Sequence, residues 1–263
     1  MNSSTTTPQN SLIAITQRVR EGKLGWTWPL ILVAARLVLA MLVQALVAGF
    51  FWLRGDPTPW QAAAPWWIVY GTLIDLGCLA LLTRQLRKEG LRLFDLLGFE
   101  RRLLGKDLLL GLGYTFLFVL MAMAGGMIFA PLIYGVPQAP APMSGLPLWG
   151  TLYALLIWPL IWGIVEQMTY QGYALPRLEV LSGKRWLAVV IVAMSWAAQH
   201  IALPMMPDWR WVLYRFASSL ILAFDVTALY LRIRRLLPLI IAHWLADFSS
   251  VLMLVVLPML AAS

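Results

Sequence analysis

A chain of 263 residues in which 61% are hydrophobic and only 12% charged, with a mean hydropathy of +0.77, cannot clothe a soluble domain in polar surface. The formal charge of +8 does not point to nucleic acid, because the basic residues fall in short clusters between apolar segments, as in the loops of a polytopic membrane protein. The one cysteine, Cys78, lies within an apolar segment and excludes both an intramolecular disulfide and a cysteine-based metal cluster.

Residues 1–11 are rich in Ser, Thr, Asn and Gln without apolar periodicity, and are expected to be a disordered tail preceding a single integral membrane domain, 12–263. Residues 12–23 set Arg18, Arg20 and Lys23 beside Leu12, Ile13, Ile15 and Val19, the pattern of a short amphipathic helix on the membrane surface. The first long apolar run, 29–53, exceeds a secretory h-region and lacks a small-residue cleavage site, so it is expected to be a retained helix. Further spans are expected at about 66–82, 108–134, 148–175, 186–203, 211–231 and 236–260. Each is near or above the roughly 20 residues that cross a hydrocarbon core. The last holds Pro258 and can break in two. The predicted fold is therefore all-α: a polytopic membrane helical bundle of seven or eight transmembrane helices, with an interfacial helix at 91–102.

The basic segments alternate with sparsely charged, proline-bearing ones. Arg84, Arg87, Lys88, Arg92, Arg101, Arg102 and Lys106, then Arg177, Lys184 and Arg185, then Arg232, Arg234 and Arg235 all fall on the side of the amino terminus. Positive loops stay inside, so the expectation is a multi-pass protein of the cell (plasma) membrane with its amino terminus cytoplasmic.

Glu166 interrupts the apolar run 146–175. A carboxylate there costs roughly 2.5–3.5 kcal/mol on insertion scales, so it must face a polar cavity or a partner. Counting about 1.5 Å per residue from the expected inner ends of three spans puts Glu166 roughly 15 Å, His200 roughly 21 Å and His243 roughly 11 Å deep. His243 and Asp247 are four apart and share a helix face. Arg36 and Asp75 also lie in apolar runs and, without a motif around them, are expected to be helix–helix or interfacial contacts.

The stretch Glu166-Gln167-Met168-Thr169-Tyr170-Gln171, the run Trp196-Ala197-Ala198-Gln199-His200, and the pair His243 and Asp247 resemble, in order and spacing, the three motifs of the CPBP intramembrane proteases. That family includes the type II CAAX prenyl endopeptidases. Its pattern is Glu-Glu-x-x-x-Arg, then Phe-x-x-x-His, then His-x-x-x-Asn or Asp, and the resemblance covers about residues 90–250. Gln167 and Gln171 replace the second Glu and the Arg, and Trp196 replaces Phe. Positions 167 and 171 are one helical turn apart, so losing both charges of an i,i+4 pair strands neither.

The resemblance implies an intramembrane endopeptidase acting on a membrane-associated peptide or protein, with membrane lipids as its other partner and no nucleic acid. Glu166, a desolvated carboxylate, would activate water with His200, while His243 and Asp247 stabilise the oxyanion. Gln167, Tyr170, Gln171 and Trp196 would line the site or support it. No cofactor is expected; the alternative is a zinc ion held by Glu166, His200 and His243. Two other functions remain open at this stage: a catalytically inactive relative acting as a binding or immunity protein, and a proton-coupled transporter.

Overall fold

The computed structural model describes residues 9–139 and 146–257. They form helices α1 (Leu12–Arg20), α2 (Thr27–Leu53), α3 (Pro59–Ala63), α4 (Trp67–Lys88), α5 (Leu104–Tyr134), α6 (Leu148–Leu156), α7 (Trp158–Gln167), α8 (Leu175–Ser182), α9 (Arg185–Gln199), α10 (Trp209–Ile233) and α11 (Leu237–Val251). There is no strand among the described residues. Two π-helical segments, Met168–Ala174 and Leu252–Val256, extend α7 and α11.

Five helical stretches are long and apolar enough to cross a membrane: Thr27–Leu53, Pro59–Lys88, Arg101–Tyr134, Trp209–Ile233 and Leu237–Val256. A sixth is the pair Leu148–Leu156 and Trp158–Ser182, bent by 40°. Pro159 sits at that bend, where its ring nitrogen has no hydrogen for the carbonyl four residues back. The chain is thus an all-helical, multi-pass membrane protein with five or six such spans, where seven or eight are expected from the sequence. The difference lies in α9, which has only 15 residues. After it the chain turns within the bundle, and its backbone finds internal partners. Gln44 bonds both the amide of Met205 (2.7 Å) and its carbonyl (2.9 Å), and Trp60 Nε1 donates to the same carbonyl at 2.7 Å. Irregular backbone at membrane depth is tolerated only with such satisfaction. Pro258 lies outside the described residues, and up to Val256 the last span is continuous.

Two further expectations change. Residues 91–102 form two short 3-10 turns, Leu93–Leu96 and Arg101–Leu103, not an interfacial helix, because Gly90 and Gly98 adopt φ of 74° and 57° and interrupt it. Residues 1–8 of the expected tail lie outside the described residues, but Asn10 and Ser11 are held in place. Ser11 caps α1 by accepting from the Ala14 amide at 3.3 Å. Asn10 Nδ2 donates to the Gly172 carbonyl at 2.8 Å. That carbonyl is available because its α-helical partner four residues on is Pro176.

The basic segments gather at one end of the bundle. Arg235 pairs with Asp107 and Glu100, Arg185 and Arg234 with Glu179, and Arg177 with Glu89. These contacts join the end of α4, the start of α5, the end of α8, the start of α9 and the α10–α11 turn. Inside, one apolar cluster packs α8, α9, α10 and α11 around Tyr170, Tyr173 and Trp196. A second joins α2, α4 and α7 through Trp67, Trp158 and Trp162, whose rings contact one another at 5.3–5.8 Å. The site described next lies where the two clusters meet.

Candidate active site

Glu166 and Gln167 end α7, and the π-helical segment begins at Met168. π-turns are uncommon and concentrate at functional sites. Across from them, α11 brings His243 and Asp247. The two helices close tightly because residue 163 is glycine: a Cβ there would stand 3.2 Å from the Trp244 amide nitrogen and 3.4 Å from His243 Cβ.

The Glu166 side chain is fully buried. Its Oε2 lies 3.8 Å from His243 Nε2, and Asp247 Oδ2 lies 3.5 Å from the same nitrogen. Both separations exceed a normal hydrogen bond, so one imidazole edge faces two carboxylates without being consumed by either. On the opposite edge of the ring, Gln167 Nε2 donates to His243 Nδ1 at 3.2 Å. A ring nitrogen that accepts carries no hydrogen, so with the amide in this orientation the proton resides on Nε2.

His200 is placed differently. Its Nδ1 lies 2.9 Å from the Trp196 carbonyl, which can only accept, so Nδ1 carries the hydrogen and Nε2 keeps a lone pair. Its ring lies tilted against Trp196 with the centroids 4.4 Å apart, and the same indole approaches His243 at 6.2 Å. Among the described residues no His200 nitrogen lies within 4 Å of a carboxylate, so the imidazole set against Glu166 is His243, not the expected His200. Trp196, in the place of the family's Phe, packs against both imidazoles. The same separation bears on the zinc alternative. Among the described residues no three His, Cys, Asp or Glu side chains converge as ligands, and Glu166, His200 and His243 do not form such a set.

The remaining expected residues divide. Gln167 touches the site through His243. Tyr170 points away from it, its hydroxyl donating to the Val33 carbonyl of α2 at 3.2 Å. No hydrogen bond joins Gln167 to Gln171, the positions of the family's Glu and Arg. Residue 171 lies within the π-helical segment Met168–Ala174. Both amide atoms of Gln171 are buried without a protein partner. So are Glu166 Oε2, Gln167 Oε1, Thr169 Oγ1, Trp196 Nε1 and Asp247 Oδ2. Buried polar atoms are normally satisfied, and the stretch 166–171 holds several without a partner among the described residues.

Two further residues, Arg36 and Gln199, meet Glu166, and a third, Asp75, reaches it through Arg36. Arg36, from α2, donates from Nη2 to Glu166 Oε1 at 3.4 Å, from Nη1 to Asp75 Oδ1 at 2.5 Å and from Nε to Gln199 Oε1 at 2.6 Å. Gln199 Nε2 donates to Glu166 Oε1 at 2.9 Å. All four side chains are fully buried. Arg36 and Asp75 are helix–helix contacts, as expected, but they reach the site as well. The signal was available: charges in the middle of apolar spans mark functional positions by default.

Residues 148–249, which contain all three motifs, match the family described as type II CAAX prenyl endopeptidase Rce1-like, consistent with a CPBP-family protein. No curated protein and no solved structure gives a significant match.

Proposed function

We propose, with that match as the premise, that the chain is an intramembrane endopeptidase that hydrolyses a peptide bond in a membrane-associated substrate. The observation that supports this best is the Nε2 edge of His243, brought by α11 against Glu166 from α7 and flanked by Asp247. A transporter would string such groups along a path; here they share one side of one ring.

In the proposed chemistry a water bound at Glu166 Oε2 attacks the scissile carbonyl carbon and gives its proton to the carboxylate. The Nε2 lone pair of His200 is the second acceptor for water hydrogens. Attack places negative charge on the carbonyl oxygen, which accepts from His243 Nε2–H. Gln167 keeps the hydrogen on that nitrogen, and Asp247 stands beside it. When the C–N bond breaks, the departing amine takes the proton from Glu166, restoring the carboxylate. The two imidazoles then have complementary roles because their Nδ1 atoms have complementary partners, a carbonyl for His200 and an amide N–H for His243.

The same reading makes α9 with the turn after it a seventh, short span, puts the basic end of the bundle in the cytoplasm with the amino terminus, and assigns the protein to the plasma membrane. The test is cleavage of a quenched, membrane-anchored peptide library by purified protein. Cleavage that falls by about 100-fold or more in Glu166→Gln, at unchanged folding, supports the assignment. Cleavage persisting in that variant refutes it. A wild type without activity on the library favours the inactive binding or immunity relative.

A further inference from the structure

The family match begins at residue 148. Two of the residues around Glu166 lie far upstream of it, and their arrangement is more specific than a packing contact requires.

Arg36 is fully buried and reaches three different helices at once: Nη1 to Asp75 on α4, Nη2 to Glu166 on α7, Nε to Gln199 on α9. Its guanidinium also lies 4.3 Å from the Trp162 ring, one turn before Glu166. The backbone that carries it is pinned one turn earlier, where Tyr170 bonds the Val33 carbonyl. Among the described residues the hydrogen bonds of normal geometry to the carboxylate fall on one oxygen. Oε1 accepts from Arg36 and Gln199, whereas Oε2 has no hydrogen-bond donor and stands on the His243 side. The two oxygens share one carbon, so tethering the first sets the direction of the second. Arginine suits the task because its planar fork offers donors at fixed angles and keeps its charge in any protein environment.

We infer that Arg36 is a positioning residue of the active site: anchored by Asp75 and braced by Gln199, it holds Glu166 by Oε1 so that Oε2 is presented to the water beside His243. The inference rests on the endopeptidase reading above. It extends the site to α2 and α4, in place of an arginine at position 171, where this chain has Gln.

The experiment compares wild type, Glu166→Gln, the double variant Arg36→Met/Asp75→Leu, and Gln199→Leu. Each is assayed for kcat and KM on the anchored peptide, with thermal unfolding in micelles as the control. Removing both leaves no unpaired Asp75, and Glu166 keeps the Gln199 donor at 2.9 Å, so the double variant is the one expected to fold. The expected result is a loss of about 100-fold in kcat for the double variant, the scale of a misplaced catalytic group. Its KM should stay within about threefold, since substrate contacts are untouched. Gln199→Leu should lose kcat in the same sense but by less. A merely structural role would lower the unfolding midpoint and leave kcat of the folded fraction intact. If the double variant does not fold, Asp75→Asn replaces it, with a smaller loss of kcat expected. Folded variants with wild-type kcat, in an assay where Glu166→Gln is inactive, overturn the inference and leave the endopeptidase reading standing. No cleavage by wild type overturns that reading and the inference with it.

Discussion

Replacing Arg177 with Met should be among the most destabilising single changes in this protein. Arg177 Nε donates to both oxygens of Glu89, at 3.2 and 3.0 Å, and Nη2 donates to Oε2 at 2.6 Å. Tyr173 adds its hydroxyl to Glu89 Oε1 at 2.8 Å, and Arg177 Nη1 holds Asn10 Oδ1 at 3.1 Å. Both charged side chains are wholly buried. Arg177→Met leaves Glu89 with the Tyr173 hydroxyl and a long 3.5 Å bond from Gln85 Nε2, and stranding one member of a buried pair costs about 3–5 kcal/mol. At about 2–4 °C per kcal/mol for a chain of this size, the unfolding midpoint should fall by roughly 6–20 °C. The double variant Arg177→Met/Glu89→Leu removes the stranded charge but leaves the Tyr173 hydroxyl buried without its acceptor, a cost of about 1–3 kcal/mol. Adding Tyr173→Phe should recover most of that. The assay is thermal unfolding in a fixed detergent, followed by circular dichroism. A single variant within about 1 kcal/mol of wild type, or a double variant as unstable as the single, would refute the reasoning.

Three other expectations concern the site and its orientation. Asp247→Asn preserves a side chain able to donate and should retain cleavage within about tenfold, while Asp247→Leu should lose about 100-fold or more in kcat; equal effects of the two would show that polarity at 247 is immaterial. Gln167→Leu removes the partner that keeps the hydrogen on His243 Nε2, worth about 0.5–1.5 kcal/mol, so kcat should drop roughly 2- to 13-fold at unchanged KM; no change in kcat would detach Gln167 from the reaction. A cysteine in place of the exposed Arg102 should react with an impermeant maleimide only after cells are permeabilised, the native Cys78 being buried. Labelling of intact cells would put the basic end outside.

Much of the architecture was legible from hydropathy, because partition between lipid and water depends on composition summed along a segment. Among the described residues each of the seven expected apolar runs contains helix, and the acid–imidazole motif on α7 and α11 comes together. Span counting was less secure at 186–203, where apolar composition continues past the end of α9 through a turn satisfied by Gln44 and Trp60. Composition does not record which backbone groups find side-chain partners more than a hundred residues away. Helical periodicity likewise assumed α geometry through 167–171, where the chain is π-helical from Met168.

By itself the sequence determined the solvent in which this protein folds, the segments that become helices and the acid and imidazoles that interrupt them, since each is a property of residues within one segment. Which imidazole faces the acid, which nitrogen of each ring keeps its hydrogen, and which arginine steadies the carboxylate were decided only by tertiary packing. Those outcomes depend on the approach of α2, α4, α9 and α11 to α7. A hydrogen bond across 130 residues, such as that from Arg36 to Glu166, follows from the angles at which helices pack and leaves no periodic trace in the chain.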